Sequence, residues 1–326
     1  MNTNSIIQHV HRIQQQISSP AAAVCIIHRD QVLTEWYNGV EAHQRFNVYS
    51  TRKAYIALTV AMGVHKGKIA SIDDPVTRYL PEYDAALLAG TTIRHLLTHT
   101  HGLATEEDGR IVRHFAAGTD WQYVNTGIEM LAVLVQRTMG QSVAELLQER
   151  VFTPFDFTET AWETEPSPHL LPDLHDPQQP PLLRLYVSPD GDERNLFVSA
   201  RELARWGHLH LKKGAGRLPS ELFEMTTTRQ TPFLPKENVP VNGFCWQVQD
   251  ITNPRMEIGE HVPRGAYQIL GKSGCTVLVI PSLDVVAVRM YNKIGNPPGY
   301  DYLQDIRTFG NLVAAAAGDD LPPIHI

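Results

Sequence analysis

The sequence predicts an α/β fold of the α+β type, in which strands from both ends of the chain form one antiparallel sheet flanked by helices. Three patterns indicate this. Residues 21–39 read as a β-hairpin, four more strand-like runs follow residue 240, and the residues between them repeat apolar side chains at helical spacing. We therefore expect a sheet region from residues 1–60 plus 241–326, a mostly helical insertion from 61–240, and one compact unit.

The first elements follow from local spacing and turn signals. Apolar residues at helical spacing predict a short opening helix up to about Gln16. The stretch "AAAVCIIHRDQVLTEWYNG" predicts two strands joined by a turn near Arg29 and Asp30. The stretch "STRKAYIALTVAMGVHKGK" is typical of a buried helix, with Gly67 as its C-terminal stop.

The remaining elements alternate in the same way. Helices are predicted for "TTIRHLLTHTHG", "NTGIEMLAVLVQRTMG", "SVAELLQERVF", "SARELARWGHLHLKKG" and "DYLQDIRTFGNLVAAAAG". The strands predicted near the C-terminus are "FCWQVQD", "AYQIL", "CTVLVI" and "DVVAVRMYN". Residues 166–189 carry seven prolines and predict a long loop, and we expect this loop and the stretch 226–242 to line a cleft.

Composition excludes several classes of protein. The chain has 326 residues and a formal net charge of -7, with no run of more than two basic residues, so a nucleic-acid partner is not expected. The N-terminus lacks a basic segment followed by an apolar one, and no apolar run approaches the roughly 18 residues of a membrane span. We expect a cytoplasmic protein without a membrane partner. Its three cysteines lie in apolar stretches and are expected to be buried free thiols.

The stretch "FNVYSTRKAY" places Ser50 one helical turn before Lys53. A serine hydroxyl becomes a good nucleophile only when a nearby base takes its proton. A lysine can serve as that base if burial in an apolar site lowers its pKa, and the positive end of a helix acts in the same direction. This is the only S-x-x-K in the chain, and the apolar residues after it indicate a buried helix.

A second candidate pair is Tyr123 and Asn125, in "GTDWQYVNTG". A tyrosine hydroxyl can relay a proton to a leaving group, and an asparagine amide can hold a substrate carbonyl. The same residues also fit a plain structural role, in which Asn125 or Thr126 caps the following helix. The two roles are compatible, because one residue can cap a helix and bind a ligand.

These motifs, in this order, resemble the serine β-lactamases and penicillin-binding-protein-like hydrolases over roughly residues 20–295. The likeness is greatest to the class C β-lactamase branch, with its family VIII-type esterases and nylon-oligomer hydrolases. "TTIRHLLTHTHGL" is similar to the family's T-I-R-H-L-L-T-H-T-S-G-L segment. The stretch beginning "AGTDWQYVNTG" is similar to its P-G-T-x-x-x-Y-x-N segment, and "VSARELARWGHLHLKKG" to its S-A-R-D-L-A-R-F-G-x-L segment.

The resemblance implies a role for each candidate residue. Ser50 would be the acyl-forming nucleophile, Lys53 its general base, Tyr123 the proton relay and acid, and Asn125 a substrate contact. The preferred function is then an esterase or small-amide hydrolase acting on a small acyl substrate, with no cofactor. Alternatives are a β-lactamase or D-amino-acid peptidase using the same site, and a catalytically weak binding or regulatory homologue.

The family's third motif, Lys/His-Thr/Ser-Gly, has three possible positions here. "GKSGC" contains a literal Lys272-Ser273-Gly274. Counting back from Pro281 by the family's spacing instead places the motif at Ala266-Tyr267-Gln268. In that case "GKSGC" is a turn. The same five residues are also similar to the G-x-x-G-Q of the nylon-hydrolase-like branch. In that case Gly271 and Lys272 would act through the backbone, the Lys272 N–H completing the oxyanion hole with the N–H of Ser50.

Other departures concern the histidine-rich segment. His101 stands where the family has Ser, and Ala117 where it has Pro. A missing Lys or His on the third strand would weaken the carboxylate recognition that is typical of penicillin substrates.

His95 and His99 are one helical turn apart, which suits a metal, but no Glu lies between them and the family segment explains them as structural residues. No metal is expected, and the sequence does not determine the oligomeric state.

Overall fold

The computed structural model describes residues 1–232, 234, 239–250 and 256–318. Its helices are α1 Asn4–Ile17, α2 Arg52–His65, α3 Ile93–Leu97, α4 Thr126–Met139, α5 Val143–Leu147, α6 Ala200–Leu211, α7 Ser220–Thr227 and α8 Tyr302–Gly318. Its strands are β1 Ala22–His28, β2 Gln31–Asn38, β3 Phe46–Asn47, β4 Leu103–Thr105, β5 Ile111–Arg113, β6 Thr160–Trp162, β7 Leu196–Val198, β8 Gln247–Val248, β9 Tyr267–Leu270, β10 Thr276–Ile280 and β11 Val285–Tyr291.

The main sheet joins the two ends of the chain, as predicted. Its six strands follow the order β2-β1-β11-β10-β9-β8, and each neighbouring pair is antiparallel. Strand β1 lies directly beside the last strand, with Ala22 opposite Tyr291 and His28 opposite Val285. The N-terminal hairpin is therefore joined to the rest of the sheet through the C-terminal strand β11.

Helices cover both faces of this sheet. Alternate side chains of each strand point to opposite faces, and on β1 both sets are apolar and buried. Along β1, Ala22, Val24 and Ile26 pack with helices α1 and α8. The intervening Ala23, Cys25 and Ile27 belong to the larger core that contains α2 and α6. This arrangement is the α+β architecture expected from the sequence.

Two sequence signals have their expected geometry. Arg29 and Asp30, at the turn of the β1–β2 hairpin, have φ angles of 51° and 65°. Positive φ at both central residues is the requirement of a type I′ turn, whose twist suits a two-residue hairpin. Gly140 follows α4 with φ 71°, in the left-handed conformation that commonly ends a helix. The three cysteines are free and buried, as predicted.

The predicted strand over 244–250 is largely wrong, since only Gln247–Val248 is extended and paired. Phe244 and Cys245 donate their backbone N–H groups to the carbonyls of Thr226 and Leu97 rather than to a neighbouring strand. Cys245 also has φ 63°, which breaks an extended run. Helix α7 and the short strands β3 to β7 were not predicted. None of the described helices is both long and apolar enough to cross a membrane.

A buried ionic network lies on the α8 face of the sheet. Arg289 of β11 is 1% exposed and its Nη1 lies 2.7 Å from Oδ1 of Asp305 in α8. His9 Nε2 lies 2.8 Å from the same oxygen, and the Tyr300 hydroxyl donates to Oδ2 at 2.6 Å. Burial alone would raise the pKa of Asp305, but the Arg289 charge and these hydrogen bonds hold it well below its usual range. The network ties α1, α8 and the sheet together.

Candidate active site

Ser50 lies at the head of helix α2. Strand β3 leads into a single 3₁₀ turn, Tyr49–Thr51, and α2 begins at the next residue. Tyr49 has φ 47°, a left-handed conformation that is strained for a residue with a side chain, and its N–H donates to Asn47 Oδ1 at 2.9 Å. The strained turn leaves Ser50 partly exposed to a cavity, and no acceptor among the described residues takes its N–H.

Lys53 lies one turn further along the helix and is 1% exposed. Its Nζ has no hydrogen-bond partner among the described residues and lies 3.6 Å from the centroid of the Tyr123 ring. Burial lowers the pKa of Lys53 to about 7, and the positive charges of Arg52 and Arg194 act in the same direction. A large fraction of Lys53 is therefore a neutral amine near pH 7, as a general base requires.

Tyr123 lies in the irregular segment before α4, with its ring against the Ser50–Lys53 pair. The ring packs on His99, with centroids 4.7 Å apart, and half of the side chain faces the cavity. The surrounding protein raises the pKa of Tyr123, although a hydrogen bond with Ser50 acts in the opposite direction. Tyr123 is therefore a protonated phenol at neutral pH. Of these side chains, Lys53 is therefore the one that can accept a proton near pH 7, and Tyr123 is one that can relay or donate one.

Asn125 occupies the N-cap position of α4, but its side chain makes no capping hydrogen bond. Its backbone carbonyl accepts from the N–H groups of Ile128 and Glu129, at 2.8 and 3.0 Å. The amide side chain lines the same cavity as Ser50. It is thus available to a substrate while the backbone begins the helix.

The turn between β9 and β10 approaches the nucleophile from the other side. The backbone of Gly271 lies so close to Val48 that an added Cβ would be 2.3 Å from the Val48 carbonyl oxygen. Gly271 donates its N–H to Cys275 O at 2.7 Å, and Gly274 donates to Gly271 O at 2.9 Å. Residues 271–274 therefore form the turn, in which Lys272 is exposed and lines the cavity.

The geometry of this turn selects a backbone group that sequence reasoning missed. Bonded and non-bonded pairs alternate along an antiparallel ladder. Gly271 and Cys275 are joined by a backbone hydrogen bond, so the next pair along the ladder, Leu270 and Thr276, is not hydrogen-bonded. The backbone N–H and C=O of Leu270 therefore point away from β10. The pairing of β8 with β9 ends at Gln268, which leaves the Leu270 groups at an open edge that lines the cavity. Only the observed register could identify them.

Gln268 also lines the cavity but is fully buried on the α8 side of the sheet. Its Nε2 donates to the backbone carbonyl of Glu257 at 3.0 Å. The structure thus brings Ser50, Lys53, Tyr123 and Asn125 together, with Gln268 and the 271–272 turn in the opposite wall.

The two stretches predicted to line the cleft both contribute to the cavity. The stretch 166–189 contributes Arg184 and Tyr186, and the stretch 226–242 contributes Pro240 and Asn242. Residues 233 and 235–238 lie outside the described part.

The cavity has a volume of about 710 Å³ and a strongly positive lining. Its charged side chains among the described residues are Glu257 and five cations, Arg52, Arg184, Arg194, Lys272 and Lys293. Arg52 is 1% exposed, and its Nε and Nη1 have no partner among the described residues. A positive cavity in a chain of net charge -7 favours anionic groups, including the oxyanion of an acyl-transfer reaction.

The three histidines of the 95–101 segment serve different local contacts. His95 Nδ1 accepts from the Thr92 N–H at 3.1 Å within a capping box, and His101 Nδ1 accepts from the Leu103 N–H at 2.9 Å. His99 is buried against Tyr123, and burial holds its pKa well below the usual value. Within the described ranges, no group of three or more His, Cys, Asp or Glu side chains could hold a metal ion.

Comparison with known proteins identifies the family. The β-lactamase family model matches residues 6–308. The chain belongs to the β-lactamase family. An uncharacterized protein of Alkalihalophilus pseudofirmus is 41% identical over 326 residues, which covers 95% of each chain. Esterase EstB of Burkholderia gladioli is 31% identical over 172 residues, which cover 42% of this chain and 43% of EstB.

Solved structures of this family share the fold. A class C β-lactamase in complex with cefoxitin has a TM-score of 0.78 and 15% identity, and the match covers 97% of this chain and 100% of that one. At this identity the likeness concerns the fold alone. It confirms the β-lactamase/transpeptidase-like architecture of the sheet and its flanking helices.

Proposed function

We propose that this member of the β-lactamase family is a serine hydrolase that forms an acyl-enzyme on Ser50. The observation that carries the proposal is the state of Lys53, which is buried without a partner beside Ser50 and has a pKa of about 7. Structural lysines are normally exposed or paired, because an unpaired buried ammonium is costly. Here the cost favours the neutral amine that a serine nucleophile requires.

The reaction follows from the positions of these groups. Ser50 Oγ attacks an ester or amide carbonyl, and its proton passes to Lys53 Nζ, directly or through the Tyr123 hydroxyl. The developing oxyanion accepts from the Ser50 N–H and from a second backbone N–H in the 268–272 segment, where the register favours Leu270. The proton returns through Tyr123 to the leaving group, and water then hydrolyses the acyl-enzyme.

The preferred activity is that of an esterase or small-amide hydrolase. The cavity of about 710 Å³ suits a small acyl substrate, and the relative EstB carries an esterase name. The same groups could open a lactam or cleave a D-amino-acid amide, and the cations of the cavity suit the carboxylate that penicillin-type lactams carry. Nitrophenyl esters, nitrocefin and D-aminoacyl amides, assayed as one panel, separate these activities.

Labelling with a fluorophosphonate, read by intact mass, tests the proposal. We expect one adduct on the wild-type chain and none on Ser50→Ala. A folded wild-type chain without an adduct would contradict the mechanism and favour a binding or regulatory role. Activity that survives Ser50→Ala and is lost to a chelator would instead indicate a metal hydrolase.

A further inference from the structure

Glu257 is the one carboxyl group among the described residues that line the cavity, and all of its polar groups are fixed. Its backbone N–H donates to Gln247 Oε1 at 3.1 Å, and its carbonyl accepts from Gln268 Nε2 at 3.0 Å. Its carboxylate oxygens accept from the Tyr302 hydroxyl and from Gln247 Nε2. A carboxyl group held from three elements, β8, β9 and α8, is preorganised for a partner.

Gln268 adds an unused acceptor to the same wall. The side chain is 0% exposed, and its Oε1 has no hydrogen-bond partner among the described residues. The amide cannot be reversed without loss, because the Glu257 carbonyl requires the nitrogen of Gln268 as its donor. A buried acceptor without a partner is costly, so this position favours a ligand that donates hydrogen bonds.

The cavity lining is positive as a whole, but the cations among its described residues do not pair with the Glu257 carboxylate. No described Lys, Arg or His nitrogen forms a salt bridge with this carboxylate. Burial raises the pKa of Glu257 to about 7, and the Gln247 hydrogen bond and the nearby Arg307 charge oppose this effect only in part. Arg307 itself donates to the Met256 carbonyl at 2.9 Å. The Glu257 charge also raises the pKa of Tyr123, so the two groups interact across the cavity.

We propose that Glu257 and Gln268 form an acceptor pocket that binds a primary ammonium group of the substrate. The two acceptors supply one charge and one neutral oxygen, which suit a group with three N–H donors. The preferred substrates are then esters or amides that carry a free amine, which narrows the proposed function and rests on it.

Calorimetry on the Ser50→Ala chain tests the pocket without turnover. The probes are n-butylammonium and 1-butanol, which have similar size and differ in charge. At pH 8 we expect butylammonium to bind about tenfold or more tightly than butanol, as a charged hydrogen bond permits. Adding Glu257→Gln should abolish this preference, and Glu260→Gln, which removes an exposed carboxylate three residues away, should keep it.

Equal binding of the two probes, or an ammonium preference that survives Glu257→Gln, would overturn the proposal. Circular dichroism establishes that each variant is folded. If Glu257→Gln does not fold, the comparison of the two probes on Ser50→Ala alone still decides. Because no catalysis is involved, ammonium binding without a fluorophosphonate adduct on the wild-type chain would contradict only the proposed hydrolase activity.

Discussion

Two buried cations on opposite faces of the main sheet have opposite properties. Lys53, on the α2 side, and Arg289, on the α8 side, are each 1% exposed. Arg289 lies 2.7 Å from the Asp305 carboxylate, whereas Lys53 Nζ has no hydrogen-bond partner among the described residues. The two faces of one sheet therefore bury positive charge in two different ways.

The difference shows how burial can serve either stability or chemistry. Burial alone would lower the pKa of Arg289, but the charge of Asp305 more than offsets this and raises it. For Lys53 the effect of burial dominates and lowers the pKa to about 7. A paired buried cation remains charged and holds elements together, whereas an unpaired one loses its charge more readily and can then accept a proton. Four single variants, one double variant and one pH profile test this contrast.

Lys53→Met should give the largest effect. It keeps an unbranched side chain but removes the base, so we expect the rate of ester hydrolysis to fall by about 10²–10⁴-fold. The free energy of unfolding should stay level or rise, since an unpaired buried amine is removed. Steady-state kinetics and urea unfolding provide both readouts. Marked destabilisation with activity retained would reverse the roles assigned here.

Arg289→Met should show the opposite pattern. It leaves the Asp305 carboxylate buried without its cation, which we expect to lower the free energy of unfolding by about 3–5 kcal/mol. The matched double variant with Asp305→Asn should lose less, because no unpaired charge remains. Urea unfolding at pH 7 measures both. An unchanged free energy of unfolding in Arg289→Met would show that this network does not stabilise the packing of α1 and α8 on the sheet.

Tyr123→Phe should have a smaller effect on rate than the loss of Lys53. The ring that packs on His99 is retained, and only the hydroxyl proposed as the proton relay is removed. We expect kcat to fall by about 10²-fold, the lower end of acid–base contributions, with KM little changed. A KM effect without a kcat effect would assign Tyr123 to binding alone.

Lys272→Ala should have the smallest effect. Lys272 is exposed on the 271–274 turn, so only its side chain is lost while the backbone remains. We expect the rate on neutral esters to change by no more than about threefold, as for other exposed side chains. A large loss of rate would show that the Lys272 charge acts on the substrate, as in a true Lys-Ser-Gly motif.

The fold was largely predictable because its signals are local. The apolar run of β1, the two-residue turn at Arg29 and Asp30, and the glycine after α4 are each signals within a few neighbouring residues. The strand predicted over 244–250 was wrong because its backbone groups bond to distant carbonyls of Thr226 and Leu97. Such partners are not visible in a window of sequence.

The site was predictable only in part. Ser50, Lys53, Tyr123 and Asn125 were named from motif spacing. The structure places Ser50, Tyr123 and Asn125 at one cavity, with Lys53 Nζ buried against the Tyr123 ring. The opposite wall depends on strand register, which the size of the 271–274 turn sets, so the open edge at Leu270 could not be identified. Glu257 was missed because its contacts come from β8, β9 and α8, which are distant in sequence.

The pH dependence of Ser50 acylation tests the central claim, that Lys53 is the base because it is buried without a partner. Acylation needs the neutral amine, so the rate of labelling by a neutral fluorophosphonate should rise with pH and level off above the Lys53 pKa of about 7. Single-turnover labelling of the wild-type chain from pH 5 to 9, with Lys53→Met as control, measures it. A rate that is flat across this range, or still rising at pH 9, would contradict the account.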